Sequence, residues 1–216
     1  MKKFGIVLAT AAMCAALTAP VMAEGLYIGG SVGKAKISGP DVNEFKDWYS
    51  GDGTSVSTDE RAFKGFVGYE LNDNFAIEAF AAQLGQVDGS WSGTGDCGTG
   101  CSWSDSERDA MKVHTLGVAL RASMPITNSI DAYGKIGVHH WRGSNKGSWE
   151  GELVDSGETL TASDSWSESG SDNAVMFGLG VEYEVTGNIS MLLEAERYKL
   201  DKNKSTVASL GLAYKF

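Results

Sequence analysis

Between Val175 and Glu184 the chain alternates without a break. Val175, Phe177, Leu179, Val181 and Tyr183 are interleaved with Met176, Gly178, Gly180, Glu182 and Glu184. A period of two belongs to a strand with two unlike faces, because successive side chains point to opposite sides of the backbone. The pattern recurs with Leu210, Leu212, Tyr214 and Phe216 set against Ser209, Gly211, Ala213 and Lys215, and again along residues 26–33. Eight such segments fall near 25–37, 61–71, 75–87, 111–122, 129–142, 173–185, 188–200 and 205–216. Most have the ten or so residues that a tilted membrane strand requires.

The connectors alternate in length. Those at 72–74, 123–128 and 186–187 are short and carry turn residues such as Asn72-Asp73-Asn74, Pro125 and Gly187. Those at 38–60, 88–110 and 143–172 are long and rich in Gly, Ser and Asp. Short turns on one side and long loops on the other describe an eight-stranded antiparallel transmembrane up-and-down β-barrel. After the N-terminal segment no stretch approaches 18 consecutive apolar residues, so a helical span is excluded.

Face chemistry separates a membrane barrel from a soluble one. A soluble barrel buries its apolar face and wets its charges, whereas lipid outside demands the reverse. On parity the lumenal face holds Lys64, Glu70, Glu78, Arg121, Asp131, Lys135, Glu182, Glu194, Glu196 and Lys215, six acids and four bases, which can pair in a narrow interior. Phe80 falls off this pattern in the third segment, and a β-bulge there is the expected cause.

Met1 to Ala23 is built as a secretory signal peptide: Lys2 and Lys3, an apolar run from Phe4 to Leu17, Pro20, and the small-residue site ending at Ala23. A lipoprotein reading at Cys14 is disfavoured by Met13 just before it. Residues 24–216 then form the barrel domain. Losing two lysines and no acid moves the formal charge from −10 to −12. Cys97 and Cys101, in an exported chain, are expected to form a local disulfide. No metal set and no cofactor motif is present, and an EF-hand spacing is broken at Asp41, Asn43 and Asp47.

The three long connectors hold 18 acids against 3 bases, a sum of −15, so the acidity lies in the loops and nucleic acid is excluded as a partner. Trp91, Trp103, Trp149 and Trp166 each sit beside serine, one on each arm of the second and third loops. Cross-strand aromatic pairs stabilise hairpins in water, so the two loops are expected to project as twisted ribbons. Their edges and tryptophans suit a surface ligand. Of the three histidines, His139 and His140 near the rim are the sole candidates for rim catalysis, and no nucleophile–histidine–acid spacing supports an enzyme.

The residues also carry a resemblance. Pro125-Ile126-Thr127, Ile130-Asp131, Tyr133, Lys135-Ile136-Gly137 and Trp141-Arg142 resemble the fifth strand of the transmembrane domain of the outer-membrane protein A family. Gly180-Val181-Glu182-Tyr183, Thr186, Ile189, Leu193-Glu194, Ser209-Leu210-Gly211, Tyr214 and Phe216 are similar to its last three strands in order. The resemblance covers essentially all of residues 24–216. It implies an eight-stranded barrel in a Gram-negative outer membrane, in contact with lipid and lipopolysaccharide. Leu210, Leu212, Tyr214 and Phe216 would be read by the barrel-assembly machinery, and Glu78, Arg121, Lys135, Glu182 and Glu194 would form a lumenal charge network. Leu192 stands where the family's gate has an arginine. A barrel ending at Phe216 would lack the family's peptidoglycan-binding domain. The function expected is structural support of the envelope with surface display. A narrow ion-permeable pore, and an adhesin or phage receptor acting through 88–110 and 143–172, are the alternatives.

Overall fold

In a computed structural model, which describes residues 25–216, the period-two segments are all strands. The signal-peptide assignment and Cys14 lie outside the described residues. In chain order the elements are β1 (Leu26–Ser38), α1 (Pro40–Trp48), β2 (Thr54–Asp59), β3 (Arg61–Asn72), β4 (Phe75–Gly98), β5 (Cys101–Pro125), β6 (Ile130–Asp155), β7 (Glu158–Thr186), β8 (Ile189–Leu200) and β9 (Asn203–Lys215).

Every pairing is antiparallel. β1 pairs with β3 on one side and β9 on the other, and β4 pairs with β5, so the sheet closes on itself as a ring of eight. β2 is the second wall strand resumed beyond Glu60, still running along β4. Phe216 completes the seam: its N–H donates to the Leu26 carbonyl at 3.0 Å.

The two faces sort as alternation requires. On β7, Met176 is fully buried while Val175, Phe177, Leu179 and Val181 are 40–72% exposed. Leu116, Val118 and Leu120 on β5, and Leu210, Leu212 and Tyr214 on β9, repeat this outward band. So wide an apolar surface is matched by lipid hydrocarbon and not by water. No helix among the described residues could cross a membrane.

The fold departs from expectation above the apolar band. The segments 88–110 and 143–172 are strands, not loops: β4 to β7 run 24, 25, 26 and 29 residues. Only Thr99–Gly100 and Ser156–Gly157 connect them at the far end. Ser156 and Gly157 both have positive φ, 51° and 89°, the handedness a tight two-residue hairpin needs. Because β5 pairs with β6 up to Cys101 opposite Asp155, the expected pair of ribbons is one four-stranded sheet. It extends about 40 Å beyond the barrel at ~3.3 Å per residue. Gly, Ser and Asp argue for loops by propensity; here continuous pairing on both sides of β5 and β6 overrides it.

Phe80 keeps the phase of Glu78 and points into the lumen, 6% exposed. The irregularity in β4 lies further on, between Gln83 and Gln86, where Gly85 takes φ 98°. Ahead of this bulge Ala76, Glu78, Phe80 and Ala82 face inward, and after it Val87 and Gly89 do. The bulge re-phases the strand by one residue.

Candidate functional site

Seven lumenal charges meet in the membrane-spanning part of the barrel. Lys64 Nζ lies 2.6 Å from Glu194 and 2.7 Å from Glu196. Lys135 Nζ lies 2.6 Å from Glu78 and 2.5 Å from Glu194. Arg121 binds Glu182 and approaches Glu78 at 3.8 Å. Their side chains are at most 7% exposed, apart from Glu182 at 21%. Pairing is what makes this burial tolerable, since an isolated ion there would cost several kcal/mol or more.

Three tyrosines complete the shell. Tyr27 donates to Glu78 at 2.9 Å, Tyr133 to Glu194 at 3.0 Å and Tyr198 to Glu196 at 2.8 Å. The Arg121 guanidinium also stacks 3.9 Å from the centre of the Tyr133 ring. Register explains the cluster: Arg121 stands opposite Lys135, and Gly178, without a side chain, separates Lys135 from Glu196.

The five network residues named from sequence, with Lys64 and Glu196, therefore come together. Glu70 and Lys215 do not join them; they pair with each other at 2.5 Å, half-exposed, beside the short turns. Asp131 is partly buried and outside the network. The three tyrosines were missed as partners, although each shares the lumenal parity. Leu192 is 1% exposed and contributes apolar packing to the lumen.

Above the charges the lumen is filled by apolar and aromatic groups. The Phe80 and Tyr198 rings are 6.0 Å apart, and His139 meets Tyr198 edge-on at 5.4 Å. Leu84, Met176 and Leu200 pack with them. His139 Nδ1 is 2.7 Å from Thr115 Oγ1, while His140 points outward to Asn173. The rim histidines thus serve separate structural contacts.

Helix α1, which was not expected, lies at the mouth. Val42 is 1% exposed, and Tyr49 sits over Gly89 and donates to Asp109 at 2.7 Å and Glu107 at 3.0 Å. Burial and those hydrogen bonds raise the Tyr49 phenol well above its ordinary pKa. Asn203 ties Asp41 to the β8–β9 turn at 2.8 Å.

In the extracellular sheet the four tryptophans are not paired across strands. Trp91 stands opposite Glu107, Trp103 opposite Gly95 and Leu153, Trp149 opposite Glu107 and Asp164, and Trp166 opposite Gly147. Their rings lie over glycines: a Cβ at Gly151 would sit 2.6 Å from Trp149, and one at Gly93 2.8 Å from Trp91 and 3.3 Å from Trp103. Tryptophan fills space the glycines leave, on the face that continues the lumenal parity. Asp105, Glu107, Asp109 and Asp164 share that face. The Cys97–Cys101 disulfide closes the tip of the β4–β5 hairpin.

Comparison with known proteins agrees with this architecture. A family model described as outer membrane protein beta-barrel domain matches residues 6–216. Outer membrane protein A of Klebsiella pneumoniae is 25% identical over 198 residues, 88% of this chain and 50% of that protein. The chain thus spans about half the length of the curated relative it matches. Neisserial surface protein A superposes with a TM-score of 0.55 at 16% identity, over 89% of this chain and 98% of its own, and shares the fold. The attachment invasion locus protein of Yersinia pestis gives 0.48 at 17% identity, over 89% and 99%.

Proposed function

The chain belongs to the outer-membrane protein β-barrel domain family, and from that premise we propose that it is a non-enzymatic structural barrel of the Gram-negative envelope with a sealed lumen. One observation carries this reading: every lumenal charge of the network is ion-paired, and the layer above them is packed with Phe80, Leu84, His139, Met176 and Tyr198. A conducting path needs wet, accessible charge. Here Lys135 and Glu194 are 1% and 0% exposed. In β9, the outward Leu210, Leu212 and Tyr214, with Phe216 at the seam, are the segment we assign to recognition by the barrel-assembly machinery.

Single-channel conductance of the refolded chain in a planar bilayer tests the sealed lumen, wild type beside Lys135→Ala, with heat-dependent gel mobility as the folding control. A folded, silent wild type is expected. Reproducible ion-selective steps that change with Lys135→Ala would establish a pore instead.

A second reading, surface recognition, is supported by the tryptophan and acid face of the β4–β7 sheet. It requires ligand binding that is lost when residues 88–110 and 143–172 are trimmed and survives Lys135→Ala.

A further inference from the structure

The mouth of the barrel holds a cavity that neither a sealed lumen nor recognition by the sheet face uses. It measures about 430 Å³ and lies between α1 and the inward sides of β5, β6 and β7, within the roughly 300–1,000 Å³ of small-molecule sites. Val42 of α1, Met111 and Val113 of β5, Ile37 and Leu200 form its apolar walls. Val113 and Leu200 also belong to the packed core beneath, so the cavity rests on that core. Gly143 and Gly170 face one another in register, and the Trp141 ring lies against both, 3.4 and 3.9 Å from where their Cβ atoms would be.

The polar groups of this cavity differ from those of the lumen below, where each charge of the network finds a partner. Three buried polar atoms on its lining side chains, Trp141 Nε1, Asn145 Oδ1 and Asn203 Oδ1, have no hydrogen-bond partner among the described residues. One is an N–H donor and two are acceptors. Asn145 stands opposite Glu168 in register, and Asn203 donates its amide N–H to Asp41 at 2.8 Å, so each of these acceptors has a carboxylate beside it. Neither lysine nor arginine lines the cavity. The bases of the neighbouring wall, Lys112, Arg142 and Lys146, take the outward parity. A cleft whose charges are all of one sign concentrates the opposite ion.

We infer that this cavity is a binding site for a small protonated amine that carries a hydroxyl group, an aliphatic amino alcohol. An ammonium group has three donors and no acceptor, and it meets Asn145 Oδ1 and the Glu168 carboxylate. The methylenes lie along Val42, Val113 and Leu200, and the hydroxyl oxygen accepts from Trp141 Nε1. Such a ligand supplies what each unpartnered atom lacks, whereas a carboxylate in its place would face Asp41 and Glu168. Hydrogen bonds to a charged group are the stronger kind, so the ammonium contributes more to binding than the hydroxyl. The inference goes beyond both readings above, either of which could hold without it.

The test uses the full chain refolded into phosphatidylcholine nanodiscs and isotope-labelled at its tryptophans, with heat-dependent gel mobility as the folding control. Aminopentanol, with its two groups at opposite ends of the chain, is titrated in at neutral pH. Binding is followed at the Trp141 indole N–H resonance, assigned by its loss in Trp141→Phe. A saturable shift is expected. Pentanol, without the charge, is expected to bind roughly tenfold more weakly, and pentylamine, without the hydroxyl, about threefold. Glu168→Gln should weaken aminopentanol binding about threefold, and Glu158→Gln, at the far hairpin, should leave it unchanged. Asn145→Leu should weaken it roughly tenfold without lowering the urea unfolding midpoint, because the oxygen removed has no partner to lose. No saturable shift in the folded wild type, pentanol or pentylamine binding as tightly as aminopentanol, or Glu158→Gln as damaging as Glu168→Gln would overturn the inference. So would a lowered midpoint with unchanged binding in Asn145→Leu, which would leave Asn145 a structural role alone.

Discussion

Replacing Lys135 with methionine isolates the lumenal network from the rest of the barrel. The substitution keeps a long unbranched side chain, so little volume is lost and the change is chiefly the charge. Lys135 joins Glu78 at 2.6 Å and Glu194 at 2.5 Å, and none of the three side chains is more than 2% exposed. Removing one partner of a buried pair costs about 3–5 kcal/mol, because the charge left behind has no water to return to. Each carboxylate keeps some compensation, Glu194 from Lys64 and Tyr133, Glu78 from Tyr27 and the more distant Arg121. The lower end applies, about 3 kcal/mol. The assay is urea unfolding of the barrel in phosphocholine vesicles, followed by tryptophan fluorescence and gel mobility. The double variant Lys135→Met/Glu194→Gln should recover part of the loss, since it removes an orphaned charge as well. A loss below about 1 kcal/mol for Lys135→Met, well under the range for breaking a buried pair, would refute the network as a stabilising unit.

Other consequences can be checked separately. Tyr198→Ala opens the plug between Phe80 and His139, and should lower stability by about 3–5 kcal/mol and give the otherwise silent barrel a measurable leak in bilayers. Tyr49→Phe removes hydrogen bonds to two carboxylates and should expose residues 39–53 to protease in intact vesicles. Because the folded Tyr49 pKa is raised, its contribution to α1 docking is fully present below the unfolded tyrosine value of about 10 and drains as pH rises through the folded value; protease nicking at alkaline pH should show this, and Tyr49→Phe should abolish the dependence. Reducing Cys97–Cys101 opens a loop of a few residues, worth about 2 kcal/mol in the chain-entropy model. That loss should appear as faster amide exchange at the β4–β5 tip and as a lowered global unfolding midpoint.

What sequence revealed and what it concealed follow from the range of the interactions. Inward and outward phase is a local property of alternate residues, so the lumenal positions Lys64, Glu78, Arg121, Lys135, Glu182, Glu194 and Glu196 were legible one strand at a time. Which hydroxyl meets which carboxylate depends on register between strands far apart in sequence, as with Tyr27 and Glu78, 51 residues distant. Parity placed Tyr27, Tyr133 and Tyr198 on the right face without naming their partners. Helix α1 did leave a trace, with Pro40 at its first turn and Val42, Phe45 and Tyr49 at helical spacing, but the surrounding Gly, Ser and Asp obscured it. The extracellular sheet was hidden for a related reason. Its seven hydroxyl residues at alternate positions from Thr159 to Ser171 have a strand's period, yet serine is a weak strand former on its own.

The period of two along β7 is the feature on which the membrane barrel most directly depends. Nitroxide labels placed singly from residue 174 to 184, in the chain refolded into vesicles, would report oxygen collision rates residue by residue. High rates at 175, 177, 179, 181 and 183, with low rates at the even positions between, are expected of a strand with lipid outside and paired charge within. Rates that are uniform, that peak at the even positions, or that repeat every three to four residues would contradict a membrane barrel built in this phase.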